Sequence, residues 1–131
     1  MLVLRVLVVD DNDEVANAIS LLLCQWGHES SVARDGPEAL AVASEFRPDV
    51  AILDLGLPRM DGHEVGRRLR EVPGLDGLTL LAMTGYADEE HERRCKEAGF
   101  AAHFIKPADL SALEALLNVQ AAETERRARA P

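Results

Sequence analysis

A chain of 131 residues holds one domain with a proper hydrophobic core and leaves no room for a second of ordinary size. With 47% hydrophobic and 28% charged residues, the composition is globular rather than disordered, and no apolar run approaches the length of a membrane span. The formal net charge of −9 argues against a direct nucleic-acid partner, because a phosphate backbone would be repelled at long range.

Residues 4–9 form a short apolar run that reads as a buried strand, and it ends in Asp10, Asp11 and Asp13. Over 13–26, Val15, Ala18, Ile19, Leu22, Leu23 and Trp26 share one helical face, and Gly27 stops that helix. A weaker strand covers 30–33. In the stretch "DGPEAL", Pro37 falls near the first turn of a second helix that continues through Leu40 and Ala43 to about residue 46. Pro48 separates it from a strand over 50–53, which runs directly into Asp54. The loop "LGLPRMDG" leads to a helix around 63–71, with Val65 and Leu69 one turn apart. After the turn residues "PGLDG", the apolar run 78–83 ends at Thr84. Residues 88–98 read as a polar helix capped by Gly99, 102–105 as a short strand into Lys106 and Pro107, and Asp109 as the cap of a last helix from Leu110 onward.

Strands alternating with helices over short loops specify an α/β fold with a parallel sheet covered on both faces. The domain is placed at 1–122, with 123–131 as a short charged C-terminal tail whose Arg126, Arg127 and Arg129 are solvated. No charged leader or cleavage site opens the sequence, so a cytoplasmic, non-membrane location is expected. Cys24 and Cys95 fall on apolar stripes and read as buried free thiols, with no zinc spacing. His28, His63 and His91 have no metal spacing among themselves and read as solvated. Of fourteen basic residues only Lys96 and Lys106 are lysines, so each stands out in a chain that otherwise uses arginine. The glycines form neither a dinucleotide-binding turn nor a phosphate-binding loop.

The chemistry-bearing residues follow the strands: Asp10 and Asp11 the first, Asp54 the third, Thr84 the fourth and Lys106 the fifth. Ligands of open parallel sheets bind at the carboxyl ends of the strands. If the first and third strands are neighbours, three carboxylates meet there, a set suited to Mg²⁺. An aspartate beside such a cation can act as a nucleophile toward phosphorus, with an ammonium and a hydroxyl on the remaining phosphoryl oxygens. The plainer alternative for the first cluster is that Asn12 or Asp13 caps a helix and the other acids are solvated.

The segments "VLVVDDN", "DVAILDLGLPRMDG", "LLAMTGYA", "EAGFAAHFIKP" and "DLSALEALL" together resemble the receiver domains of two-component response regulators over essentially the whole chain. The resemblance implies a flavodoxin-like sheet of strand order 2-1-3-4-5. It also implies Asp54 as phosphoacceptor, and Asp10, Asp11, Asp54 and the Gly56 carbonyl as Mg²⁺ ligands. Thr84 becomes the switch hydroxyl, and Lys106 the phosphate-contacting amine before a cis bond to Pro107. In two respects the sequence departs from the common pattern or varies within it. His103 stands where many receivers carry Tyr or Phe, with Phe104 pointing to the opposite face. Gly56 and Tyr86 occupy variable positions that resemble tuning sites for hydrolysis of the acyl phosphate.

The implied partners are a histidine kinase or histidine phosphotransfer protein and a downstream protein target, with room for a phosphorylation-dependent dimer. On this reading the chain is no enzyme beyond its own phosphorylation and dephosphorylation. Three alternatives remain. One is a receiver excised from a hybrid histidine kinase, a segment that "TGYADEEHERRCKEAGFAAHFIKP" also resembles. Another is a Mg²⁺-dependent phosphatase working through an aspartyl phosphate, for which the short loops offer no cap. The third is a degenerate receiver used only for docking, although no active-site position is missing.

Overall fold

The computed structural model describes residues 3–57, 60–85, 89–105 and 110–129. Along the chain, β1 (Arg5–Val9), α1 (Asp13–Gln25), β2 (Glu29–Ala33), α2 (Gly36–Phe46), β3 (Val50–Asp54), α3 (Gly62–Glu71), β4 (Thr79–Thr84), α4 (Glu89–Glu97), β5 (Ala102–Ile105) and α5 (Leu110–Arg129) alternate without interruption. The strands form one five-stranded sheet in the order β2-β1-β3-β4-β5, and every neighbouring pair is parallel. This is the doubly wound, flavodoxin-like α/β arrangement.

Period-two alternation along the central strands divides the core between the two faces of the sheet. Leu7, Val9, Ala51, Leu53, Leu80 and Ala82 point to the side packed by Ala39 and Ala43 of α2, Val65 and Leu69 of α3, and Cys95 of α4. Val6, Val8, Val50, Ile52, Leu81 and Met83 point to the side packed by Ala16, Ile19 and Leu23 of α1 and Leu113, Leu117 and Ala121 of α5. Because both faces are covered, β3 is buried at all five positions, and its run of apolar residues shows no polar alternation. Each fully buried Leu, Ile or Val side chain contributes about 1.5–3 kcal/mol.

Caps set the helix boundaries. Asn12 accepts the backbone N–H of Glu14 at 3.0 Å and of Val15 at 3.2 Å, and Asp35 accepts that of Glu38 at 2.8 Å. Past the helices, Gly27 at φ 88° and Gly99 at φ 85° adopt the left-handed backbone that a side chain would strain. No helix among the described residues is long and apolar enough to cross a membrane. The backbone of 123–129, read from the sequence as tail, continues α5 to Arg129.

Several sequence expectations need correction. The thiol of Cys24 is exposed, and Ala18 is exposed too: the buried line of α1 is Ala16, Ile19 and Leu23, and each neighbouring position is turned by about 100° from it. His28 and His63 are buried, not solvated. His28 Nδ1 accepts the backbone N–H of Leu4 at 3.1 Å, which draws the ring under the start of β1. The side chain of His91 lies outside the described residues.

Candidate functional site

The first carboxylate cluster is resolved by the way β1 hands over to α1. Asp10 extends the ladder by one residue, its N–H donating to Ala33 O at 3.0 Å. Its side chain turns back to accept the Asn12 N–H at 2.9 Å, and Asn12 then caps α1. That turn leaves Asp10 buried and Asp11 exposed at the mouth of the site. Asp13 is spent elsewhere, 3.0 Å from Arg34 Nε in an exposed ion pair.

β3 lies beside β1, with Val9 opposite Leu53, so Asp54 falls one step farther, next to Asp10 and Asp11. Oxygens of the three carboxylates lie within 4.8 Å of one another. Asp54 is itself largely buried, and its Oδ1 accepts the Gly56 N–H at 3.0 Å. Two buried like charges and a third at the surface are a set that a hard cation would neutralise, with backbone amides already steadying two of the three.

On the other side of β3, Asp54 is opposite Met83 and Thr84 is opposite Ile105. Thr84 therefore stands one step beyond Asp54 on the adjacent strand, buried at 1% exposure. Lys106 follows Ile105 directly in the chain. Lys106, Pro107 and its peptide bond, and Tyr86 lie outside the described residues. Gly56 is exposed, and among the described residues a Cβ built there would meet only Asp54 Oδ1, at 3.6 Å.

His103 is half-buried on β5 and shares a hollow of about 300 Å³ with Glu92, Cys95, Lys96 and Phe100. Its Nε2 is enclosed without a hydrogen-bond partner among the described residues. Phe104, next in the strand, packs with the core on the opposite face, as strand alternation requires.

A polar constellation beside the site escapes sequence reasoning. Asp61 caps α3 by accepting the His63 N–H at 2.9 Å, and the same Oδ1 lies 2.7 Å from His63 Nδ1. An ionised carboxylate only accepts, so Nδ1 carries a proton, and Nε2 faces the thiol of Cys95, 3.7 Å away. Arg94 pairs with the other oxygen of Asp61, and Phe100 meets the imidazole edge to face at a centroid distance of 6.2 Å. Burial works to raise the Asp61 carboxyl, but hydrogen bonds from the His63 backbone and ring and from Arg94 hold it below the ordinary carboxylate range. Burial pushes the Cys95 thiol up. The only hint in the sequence is the cap pattern of "MDGHE".

The profile of the response regulator receiver domain matches residues 6–118. The chain belongs to that family. Among relatives, the polar-differentiation response regulator DivK of Brucella anthropi is 33% identical, over 78% of this chain and 83% of its own length. Sensor histidine kinase RcsC of Salmonella typhi is 35% identical over 97% of this chain, which corresponds to only 13% of that protein. Among solved structures, a CheY-like receiver domain protein from Methanospirillum hungatei superposes with a TM-score of 0.86 at 26% identity, covering 96% of this chain and 99% of that one. A sensor histidine kinase receiver domain from Pseudomonas aeruginosa, solved with magnesium in its active-site cleft, gives 0.81 at 25% identity over 92% and 99%. The receiver domain thus matches both most of the length of a response regulator and a short segment of a sensor kinase, and its place is in two-component signalling.

Proposed function

We propose that Asp54 of this receiver domain accepts a phosphoryl group from a phosphohistidine of a partner histidine kinase or phosphotransfer protein. The observation that carries this reading is the meeting of Asp54 with Asp10 and Asp11 at the carboxyl ends of adjacent strands, with carboxylate oxygens within 4.8 Å. A carboxylate oxygen of Asp54 attacks phosphorus, a P–O bond forms while the P–N bond to the donor breaks, and the imidazole departs with the bonding pair. Asp10, Asp11, Asp54 and the Gly56 carbonyl would hold Mg²⁺, which prefers a few carboxylates together with waters and phosphate oxygens. Bound there, the ion supplies positive charge against the carboxylates and the phosphoryl oxygens.

The Thr84 hydroxyl and the Lys106 ammonium are the groups we assign to the phosphoryl oxygens, and Thr84 with His103 to the switch that alters the surface offered to a downstream protein. The test uses acetyl phosphate with Mg²⁺: the wild type should gain one acid-labile phosphoryl group by intact mass, and Asp54→Asn none. Undiminished labelling of Asp54→Asn would place the acceptor elsewhere.

A further inference from the structure

We infer that Gly62 is a positioning residue for Asp54, its missing side chain allowing the N-terminus of α3 to press against the peptide that follows the acceptor. The inference rests on the assignment of Asp54 as acceptor. A Cβ built on Gly62 would lie 2.7 Å from Leu55 Cα, 2.9 Å from the Asp54 backbone oxygen and 3.0 Å from Leu55 Cδ2. Two of these three contacts are with backbone, which has no rotamer to change.

Both sides of this contact are anchored. Leu55 N–H donates to Met83 O at 2.9 Å, tying the turn after β3 to β4. On the helix side, Asp61 caps α3 and holds the His63 ring, Arg94 grips Asp61, and His63 reaches Cys95 of α4. A methyl group at 62 must therefore displace either the Asp54–Leu55 peptide or the start of α3. In both cases the connection between them is deformed, and that connection carries the Gly56 N–H, 3.0 Å from Asp54 Oδ1. The carboxylate would lose its fixed aim. In-line transfer is sensitive to misplacement of the nucleophile by a fraction of an ångström.

Gly66, one turn along the same helix, supplies the matched control. A Cβ there would meet Phe100 Cζ at 2.8 Å, Phe100 Cε1 at 2.9 Å and Leu80 Cδ1 at 3.1 Å, a clash of the same depth but with side chains alone and away from Asp54. The experiment compares wild type, Gly62→Ala and Gly66→Ala in Mg²⁺-dependent phosphorylation by acetyl phosphate, normalised to the folded fraction. The Gly56 amide resonance is followed as a report on the bond to Asp54.

Gly62→Ala should transfer at least about tenfold more slowly and shift the Gly56 amide proton. Gly66→Ala should stay near the wild-type rate with that resonance in place, even if both variants melt earlier. A wild-type rate in Gly62→Ala, or an equal loss in both variants, overturns the inference. Should Gly62→Ala fail to fold, Leu55→Ala added to it removes the side-chain share of the clash and keeps the two backbone contacts. The double variant must remain slow relative to Leu55→Ala alone, and equality of the two overturns the inference. An Asp54→Asn arm separates the two readings, because persistent labelling there refutes the acceptor assignment whatever Gly62→Ala does.

Discussion

His63 reaches Cys95 across the gap between α3 and α4, Nε2 to Sγ 3.7 Å, and this contact hides one of the protein's two thiols while Cys24 stays exposed. The two cysteines also sit on opposite sides of the sheet, since Cys95 belongs to the α2–α4 core and α1 packs on the other. A thiol reagent should therefore modify Cys24 first in the native protein and Cys95 slowly, with no intramolecular disulfide in non-reducing mass analysis. His63→Ala removes a buried ring and its contact with the Cys95 thiol, and should lower stability by about 2 kcal/mol while speeding Cys95 modification. Urea unfolding with labelling kinetics measures both. Unaltered kinetics at Cys95 would mean that the imidazole does not guard it.

His28 gives a pH dependence with a definite sign. Its Nδ1 must stay unprotonated to accept Leu4 N–H, its Nε2 is enclosed without a partner among the described residues, and burial lowers its pKa below the ordinary 6.5. The unfolded chain thus binds the proton more readily, so the contribution of His28 is fully present above pH 6.5 and drains away as pH falls from there toward the folded value. Asp61, also depressed, loses its contribution only below its ordinary 3.8, so the two windows are separate. His28→Gln takes up no proton, and its stability measured by denaturant titration should fall less than the wild type's as pH drops below 6.5. Parallel pH curves for the two proteins would remove His28 as the cause.

The acidic residues at the end of β1 divide by what they touch. Asp11 contributes an oxygen to the cluster with Asp10 and Asp54, whereas Asp13 faces Arg34 on the surface. Calorimetric titration with Mg²⁺ should show Asp11→Ala binding at least about tenfold more weakly, a loss of roughly 1.4 kcal/mol, and Asp13→Ala within about twofold of wild type, as expected for removal of an exposed ion pair. Equal weakening in both variants would mean that the cation binds elsewhere.

The sheet and the carboxylate cluster were legible because their signals are local. An apolar run ending in acid marks a doubly covered strand and its carboxyl end, as at Val9–Asp10 and Leu53–Asp54. Strand order came from the family resemblance and not from the pattern of any one segment. The buried histidines were illegible for the opposite reason. His28 sits between Gly27 and Glu29 and reads as solvated until Leu4 arrives from the chain's start. His63 begins a polar helix, and the Cys95 and Phe100 that pack against its ring lie more than thirty residues away. Cys24 misled because the apolar stripe of α1 is broader than the line through Ala16, Ile19 and Leu23 that meets the sheet.

Gly56 bears on how long the phosphoryl group would persist. Its position is exposed, its backbone is outside the left-handed region, and among the described residues a Cβ there would touch only Asp54 Oδ1, at an ordinary 3.6 Å. Among the described residues a Cβ at 56 meets no close contact, and it would project from beside the acceptor carboxylate. Hydrolysis of an aspartyl phosphate needs a water held in line behind phosphorus, and hydrogen at 56 neither orients that water nor excludes it. We expect slow loss of the phosphoryl group in the wild type. Gly56→Asn brings an amide that can hold the water, and should shorten the lifetime roughly tenfold, while Gly56→Ala, with no polar group, should leave it within about twofold. Gly56→Ala should keep a melting temperature near that of the wild type, because a Cβ there meets no close contact among the described residues. The measurement is the decay of the phosphorylated mass after removal of acetyl phosphate. If Gly56→Asn and Gly56→Ala decay alike, the side chain at 56 does not reach the attacking water, and the lifetime is set on the other side of the phosphoryl group.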